Sequence, residues 1–454
     1  MLYHCSICDI SLCIICTKSP PPLIIENAKT HKHPLTFVTR LVSCTCNVCG
    51  VPDAILPYMC LQCGFAVHPR CIDFPQVINI NRHDHRISFT HHIGHGYLKC
   101  GVCRKPLCQY NGAYSCLVCP NYAVHSRCAT RYGVWDGAEL KGKPEIVEDI
   151  APFEVVGDDL IRHFSHDKHT LRLHTKHIIH DDSTRCEACS HPVGFDPIYS
   201  CEECCFILHE RCANLPVKKR LVYHSLPFLL QGPGNGVHKV LDCRLCGKYF
   251  TGFEYKSQEK TPQHIDLHCS FFSEPFVHGG HSHPLYFVFQ YGESHRCDSC
   301  DRKIFGHMLS CDVCGCTLCL RCASLPVKIK HRNDEHPLTL CCGEKANGKY
   351  WCDICEGELD PSKWFYTCFD CGGTAHAECV LGDFSRLIPG SIIDFYGHKL
   401  EVVLNNHNTR PLCSMCRSRC KVSVILQLCT SSSVYYFCSR SCLIGHFRSY
   451  LLKV

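Results

Sequence analysis

The chain has 454 residues with 45 Cys and 33 His but only three Trp and four Met, so its apolar content outside cysteine is thin for the three conventional cores that its length suggests. The net charge of +5, from 47 Lys and Arg against 42 Asp and Glu without charge runs, argues against a general electrostatic grip on nucleic acid, and zinc bound by three thiolates and a neutral imidazole would subtract one charge per site. No stretch approaches 18 consecutive apolar residues, which argues against a transmembrane segment, and the opening MLYHCSICDISLC lacks the basic and apolar regions of a secretory leader. Thiols and imidazoles in such numbers suit zinc better than disulfides, and a soluble intracellular protein of the cytoplasm or nucleus is expected.

From the amino terminus, Tyr3-x-Cys5-x2-Cys8-x4-Cys13-x2-Cys16 before Pro20 is the back half of a unit (1–20), so the chain is expected to begin inside a repeat. Repeat 1 (31–75) then runs His31-x-His33-Pro-Leu, Cys46-x2-Cys49, Tyr58-x-Cys60-x2-Cys63, His68-x2-Cys71. Repeat 2 (83–131) has the same grammar, and the cysteine-free KGKPEIVEDIAPFEVVGDD that follows marks a linker over 132–162. Repeats 3 (163–216), 5 (278–326) and 6 (331–382) are complete, with Cys319 in the late histidine slot of repeat 5. Repeat 4 (224–272) is degenerate: Tyr255-x-Ser257-x2-Lys260 replaces the second cysteine pair, Asp266 replaces the late histidine, and His224 has no partner histidine. The first pairs start at Cys46, Cys100, Cys186, Cys243, Cys297, Cys352 and Cys413, so a period near 55 residues is broken only by the linker. A divergent module (396–454) ends the chain.

Repeat 4 loses the early histidine and the second pair together, which is what a cross-brace predicts when one whole site decays. Site A therefore joins the early histidines to the second pair, and site B joins the first pair to the late residues. Repeat 1 has His31, His33, Cys60, Cys63 and Cys46, Cys49, His68, Cys71; repeat 2 has His83, His85, Cys116, Cys119 and Cys100, Cys103, His125, Cys128. Repeat 3 has His166, His169, Cys201, Cys204 and Cys186, Cys189, His209, Cys212; repeat 5 has His281, His283, Cys311, Cys314 and Cys297, Cys300, Cys319, Cys322. Repeat 6 has His331, His336, Cys368, Cys371 and Cys352, Cys355, His376, Cys379. His166 and His331 are preferred over Asp167 and Asp334 because imidazole suits zinc better beside two thiolates.

Repeat 4 keeps Cys243, Cys246 and Cys269, and the last module offers Cys413, Cys416, Cys438 and Cys442, with Cys429 and His446 as further donors. About two Zn²⁺ per complete repeat follow. Four protein donors leave no open position, so the metal is structural and takes the place of a core. Cys44, Cys108, Cys205, Cys316, Cys341, Cys342 and Cys420 fall outside the pattern and are read as ordinary thiols, as His91, His92, His95, His174, His177 and His180 are read as ordinary histidines.

On these motifs and the trailing Cys-Ala-x-x-Pro at Cys212 and Cys322, residues 1–410 resemble the plant DC1 (divergent C1) proteins. The resemblance implies small zinc-stabilised α+β repeats: a tandem array of C1-like two-zinc domains, each with short β-strands and a short helix, and little conventional core. It also implies stress, hormone or developmental signalling in a plant. The lipid-binding C1 domains of protein kinase C close site A with a trailing cysteine; here position 79 is Asn79, so diacylglycerol binding is not expected. The reading is a non-enzymatic module for protein partners, as yet unidentified. Alternatives are a PHD-like chromatin reader, whose C4HC3 order can be borrowed across repeat boundaries, a thiol–disulfide oxidoreductase, a RING-type ubiquitin ligase, and a zinc buffer.

Overall fold

The computed structural model describes residues 2–7, 10–39, 42–55, 57–94, 96, 99–145, 150–175, 184–194, 196–233, 238–331, 334–341, 349–405 and 410–451. They fall into two compact units, residues 1–146 with 222–226 and residues 147–221 with 227–454. Cys8, His95, His177, His180 and Cys342 lie outside the described residues, as do the side chains of Cys13 and Cys16. Among the described residues no helix is long and apolar enough to cross a membrane.

Each repeat is a small antiparallel sheet. In repeat 2 the strands Val77–Ile78, Ile87–Thr90, Ala113–Cys116 and Ala123–His125 lie side by side in chain order. Strand alternation puts Tyr114 and Cys116 on one face, so one pleat supplies both a core ring and a sulfur donor. The buried cluster accordingly mixes Ile78, Ile87, Tyr114 and Val124 with Cys100 and Cys116. Repeats 1, 4 and 6 carry the same four-stranded sheet, and repeat 5 keeps three strands, of which Leu285–Arg296 and Lys303–Cys311 are long.

The last strand runs into a single turn of helix: Ser126–Ala129, Glu210–Ala213, Leu267–Ser270, Leu320–Ala323 and Ala377–Leu381, with a 3₁₀ turn Pro69–Cys71 in repeat 1. Helices of four or five residues do not persist alone in water. These are held at their third residue, or at the end of the 3₁₀ turn, by the last cysteine of site B, while the residue before the helix supplies the preceding donor.

Repeats 1, 2, 4 and 6 are each tied to the segment before them by one recurring bond. The buried tyrosine of the second-pair strand donates its hydroxyl to the carbonyl of a proline at or just after the end of the previous unit: Tyr58 to Pro22 at 2.8 Å, Tyr114 to Pro75 at 2.5 Å, Tyr255 to Pro216 at 2.7 Å and Tyr366 to Pro326 at 2.7 Å. The spaced Tyr and Pro of the motif thus form a joint between neighbours, and burial raises the phenol pKa of each.

The stretch 132–162 is not a free linker. Val134 and Trp135 pack into the cluster of repeat 2, and the Glu139 carboxylate accepts the backbone N–H groups of Gln76, Val77 and Lys141. Downstream, Phe153–Gly157 and Leu160–His163 form a hairpin on the edge of the repeat 3 sheet, beside His166–His174. Alternation in FEVVG and LIRH carried this signal; the polar flanks and the lack of cysteine concealed it.

The carboxy-terminal module is built differently. Ile392–Phe395, His398–Leu404, Val424–Cys429 and Val434–Phe437 form an antiparallel sheet, joined in parallel by His238–Lys239 from repeat 4 and followed by helix Arg440–Leu451. Phe384, Leu387, Ile393, Phe395, Val402 and Phe437 belong to a cysteine-free buried cluster.

Candidate metal centres

Each first pair sits on a tight knuckle in which the backbone N–H of the residue after the second cysteine bonds back to the carbonyl of the first, as in Gly50 to Cys46 and Arg104 to Cys100. The residue after the pair takes a left-handed conformation: Gly50 and Gly247, but also Arg104 (φ +60°), Ser190 (+61°), Asp301 (+59°), Glu356 (+59°) and Arg417 (+60°). That conformation disfavours residues with a Cβ by about 1–2 kcal/mol each. Repeating the strain at five non-glycine positions requires something that over-determines the turn, and a cage of donors does so.

The structure brings together His31, His33, Cys60, Cys63; Cys46, Cys49, His68, Cys71; His83, His85, Cys116, Cys119; Cys100, Cys103, His125, Cys128; and His166, His169, Cys201, Cys204, with the donor atoms of each group within 4.8 Å of one another, and seven further groups meet the same criterion among the described residues. In site A the first histidine presents Nε2, 3.4 Å from Cys63 for His31 and 3.4 Å from Cys204 for His166. The second presents Nδ1, 3.4 Å from Cys119 for His85 and 3.7 Å from Cys60 for His33. An aromatic ring stacks on the first histidine and fixes its plane: Phe65 on His31, Tyr122 on His83, Phe206 on His166.

In site B the late histidine presents Nδ1, 3.3–3.4 Å from the second cysteine of the pair in repeats 1, 2, 3 and 6. Its Nε2 faces a backbone carbonyl, Pro106 for His125, Pro192 for His209 and Glu358 for His376, which places the proton on Nε2 and leaves Nδ1 free for a metal. In repeat 5 the Cys300 and Cys319 sulfurs are 3.8 Å apart, and His281 Nε2 is 3.6 Å from Cys314.

The donors fit zinc. His83 Nε2 and His283 Nδ1, the ring atoms that this pattern aims into their cages, are buried and have no hydrogen-bond partner among the described residues. The charges agree. Hydrogen bonds to Cys100 and Cys103 push His125 up to about 10, and the hydrogen bond from Cys379 draws Cys352 down to about 4. Thiolate character beside a proton-retaining imidazole marks a point where positive charge is stabilised.

Repeat 6 corrects one assignment. His331 is buried elsewhere, its Nε2 3.0 Å from Ser423 Oγ of the last module, and Asp334 Oδ2 stands 3.0 Å from Cys371 Sγ, with Asp334 also beside His336. The stacking ring is missing as well: Gly373 holds its place, and a Cβ there would lie 3.6 Å from Asp334 Oδ2. The change is paired: a carboxylate stands for the imidazole where Gly372-Gly373 leaves no ring to stack on it.

In the last module Cys416 and Cys438 are 3.7 Å apart, and Cys438 and Cys442 3.8 Å, with Cys413 beside them. Cys429 and His446 are not part of this group. Gln427 donates to Cys429, which is exposed, and His446 packs against Tyr435, Phe437 and Phe447. Of the unplaced cysteines, Cys420 is fully buried next to Cys438, and Cys316 fills the position of the stacking ring in repeat 5, where burial raises its thiol to about 12. In repeat 4, Ser257 replaces a site A cysteine and accepts the backbone N–H of Gln263, while His224 Nδ1 accepts that of Leu226.

A family model described as C1 domain matches residues 29–72, 81–129, 164–213 and 331–380, and one described as C1 domain-like, C-terminal matches residues 400–443. These are repeats 1, 2, 3 and 6 and the last module. No curated protein and no solved structure matches the chain.

Proposed function

Because the chain belongs to the DC1-type, C1-like cysteine-rich family, we propose that it is a non-enzymatic zinc-repeat protein that presents a series of small domains to protein partners in signalling, within the cytoplasm or nucleus and, if it follows the family it resembles, in plant stress or development. Zinc in these cages would supply folding energy, because each complete cage offers four protein donors and keeps no coordination position for a substrate. Among the described residues the five groups named above and seven more could each hold a metal ion, which supports about two zinc ions per complete repeat.

One observation carries the partner-binding reading. The two residues between the cysteines of the second pair form the tip of each site A knuckle, and large apolar side chains stand exposed there: Leu61 (81%), Leu117 (86%), Val313 (69%) and Phe369 (75%), with Ile7 (95%) at the same place in the half-unit. Among the described residues they join none of the buried clusters. Burying such a side chain against a partner contributes about 1.5–3 kcal/mol, enough for several tips together to give a useful affinity. Repeat 3 has Glu202 and Glu203 instead, with Glu202 bonded to Arg172, so the tips differ in what they select.

The test is the full chain with Leu61→Asp, Leu117→Asp and Phe369→Asp. Partners recovered with the wild type should be lost at unchanged zinc content. Recruitment of the wild type to vesicles containing diacylglycerol, abolished by the same changes, would replace this reading with a lipid-binding one.

A further inference from the structure

Repeat 4 lacks the late histidine, yet its B cage is assembled. Asp266 stands in that position with Oδ2 3.2 Å from Cys246 Sγ, close to the 3.3–3.4 Å that Nδ1 keeps in the histidine-bearing repeats. Its Oδ1 accepts the backbone N–H of Cys269, so the carboxylate caps the helix and faces the three sulfurs at once. A second charge arrives from 120 residues downstream. Arg386 Nη1 donates to Asp266 Oδ2 at 2.6 Å and reaches Cys246 Sγ at 3.1 Å and Cys269 Sγ at 3.9 Å, and its Nη2 donates to Ser324 Oγ at 2.6 Å. Both side chains are buried, Arg386 4% and Asp266 2% exposed.

The guanidinium does not occupy the centre of the cage. A group there would stand about 2.3 Å from each sulfur; the unequal 2.6, 3.1 and 3.9 Å place Nη1 outside, over the face formed by Asp266, Cys246 and Cys269. Charge gives a reason for this. Zinc with three thiolates and a neutral imidazole carries −1, whereas zinc with three thiolates and a carboxylate carries −2, a poor charge to bury. One arginine returns the sum to −1.

We infer that Cys243, Cys246, Cys269 and Asp266 hold a zinc ion whose surplus charge is matched by Arg386, so that loading this cage fastens the segment around Arg386 onto repeat 4. The backbone supports the joint: Thr251 N–H donates to the Arg386 carbonyl at 3.0 Å, and Ile388 N–H to Thr251 Oγ1 at 3.0 Å. The inference rests on zinc filling the repeats and not on the partners they present.

The experiment is native mass spectrometry of the full chain with timed release of zinc to a chelator. Cys246→Ser should carry one zinc fewer than the wild type. Arg386→Gln should release one zinc at least tenfold faster with the others unchanged, and adding Asp266→His to it should restore the wild-type rate. Should Cys246→Ser fail to fold, Asp266→Asn provides the same comparison, losing one zinc faster than the wild type. Equal counts in wild type and Cys246→Ser, with the other cages filled, would show that Arg386 closes the cage without metal and overturn the inference, as would an Arg386→Gln chain that keeps its zinc as long as the wild type. A wild type without zinc in any repeat would instead remove the reading of the repeats themselves.

Discussion

Repeat 2 and the carboxy-terminal module solve the same folding problem in opposite ways. In repeat 2 the sulfurs of Cys100 and Cys116 lie inside the buried cluster with Ile78, Ile87, Tyr114 and Val124, so metal site and core are one object. In the last module the large cluster around Phe384, Ile393, Val402 and Phe437 contains no cysteine, and Cys413 and Cys442 belong to a separate small cluster with Cys420 and Ile425. The difference teaches where the folding energy resides. About 50 residues with a few strands bury too little apolar surface to offset the ordering of the chain, and a structural zinc ion supplies about 10–16 kcal/mol. The module has enough oil to stand with less help.

Chelation is therefore the strongest test of the contrast. Removing zinc at pH 7.5 should abolish hydrogen-exchange protection in Ala113–Cys116 and Ala123–His125, while Val424–Cys429 and His398–Leu404 keep a substantial part of theirs. Simultaneous loss of both would mean that the apolar cluster of the module depends on metal as fully as a repeat does. Phe437→Ala acts in the opposite sense. Truncating this fully buried ring should lower the stability of the module by about 3–5 kcal/mol, read by denaturant unfolding, without changing the zinc count of the repeats.

A smaller effect probes the joints. Tyr114→Phe removes the hydroxyl that Pro75 accepts and leaves a buried carbonyl without its donor, for a loss of about 1–3 kcal/mol at full zinc content. The loss should appear as lower cooperativity between repeats 1 and 2. If repeat 2 unfolds at the same denaturant concentration in both proteins, the tyrosine is only a core ring.

These particulars mark what could be read from the residues. Cross-braced wiring was legible because ligands that share an ion disappear together, as the second cysteine pair, replaced by Ser257 and Lys260, and the histidine expected two positions before His224 did in repeat 4. The choice of Asp334 over His331 was not, because it depends on a ring plane that Gly373 no longer supports and on a docking contact with Ser423, 92 residues away. Arg386 could not have been placed by any local pattern: an isolated arginine bears no mark of the carboxylate that it meets 120 positions earlier. The hairpin over Phe153–Gly157 and Leu160–His163 was legible in principle, since its residues alternate, but a motif defined by cysteine does not see it.

That hairpin brings the comparison to its finest scale, because it gives a metal-dependent repeat a small patch of conventional core. His163 is fully buried among Phe153, Phe164 and Phe253, and its Nδ1 accepts the backbone N–H of Ser165. Burial lowers its pKa from 6.5 to about 4, so the fold holds the ring neutral. A depressed histidine contributes stability that is present above pH 6.5 and is lost as the pH falls from 6.5 toward 4, because the unfolded chain takes up the proton first. Between pH 7.5 and 5.5 the expected loss from this one group is about 1 kcal/mol. His163→Gln should remove that part of the slope of unfolding free energy against pH at constant zinc content, whatever it does to the absolute stability. An unchanged slope would mean that His163 takes up its proton equally in the folded and the unfolded chain, and the apolar patch would then be no analogue of the core in the last module.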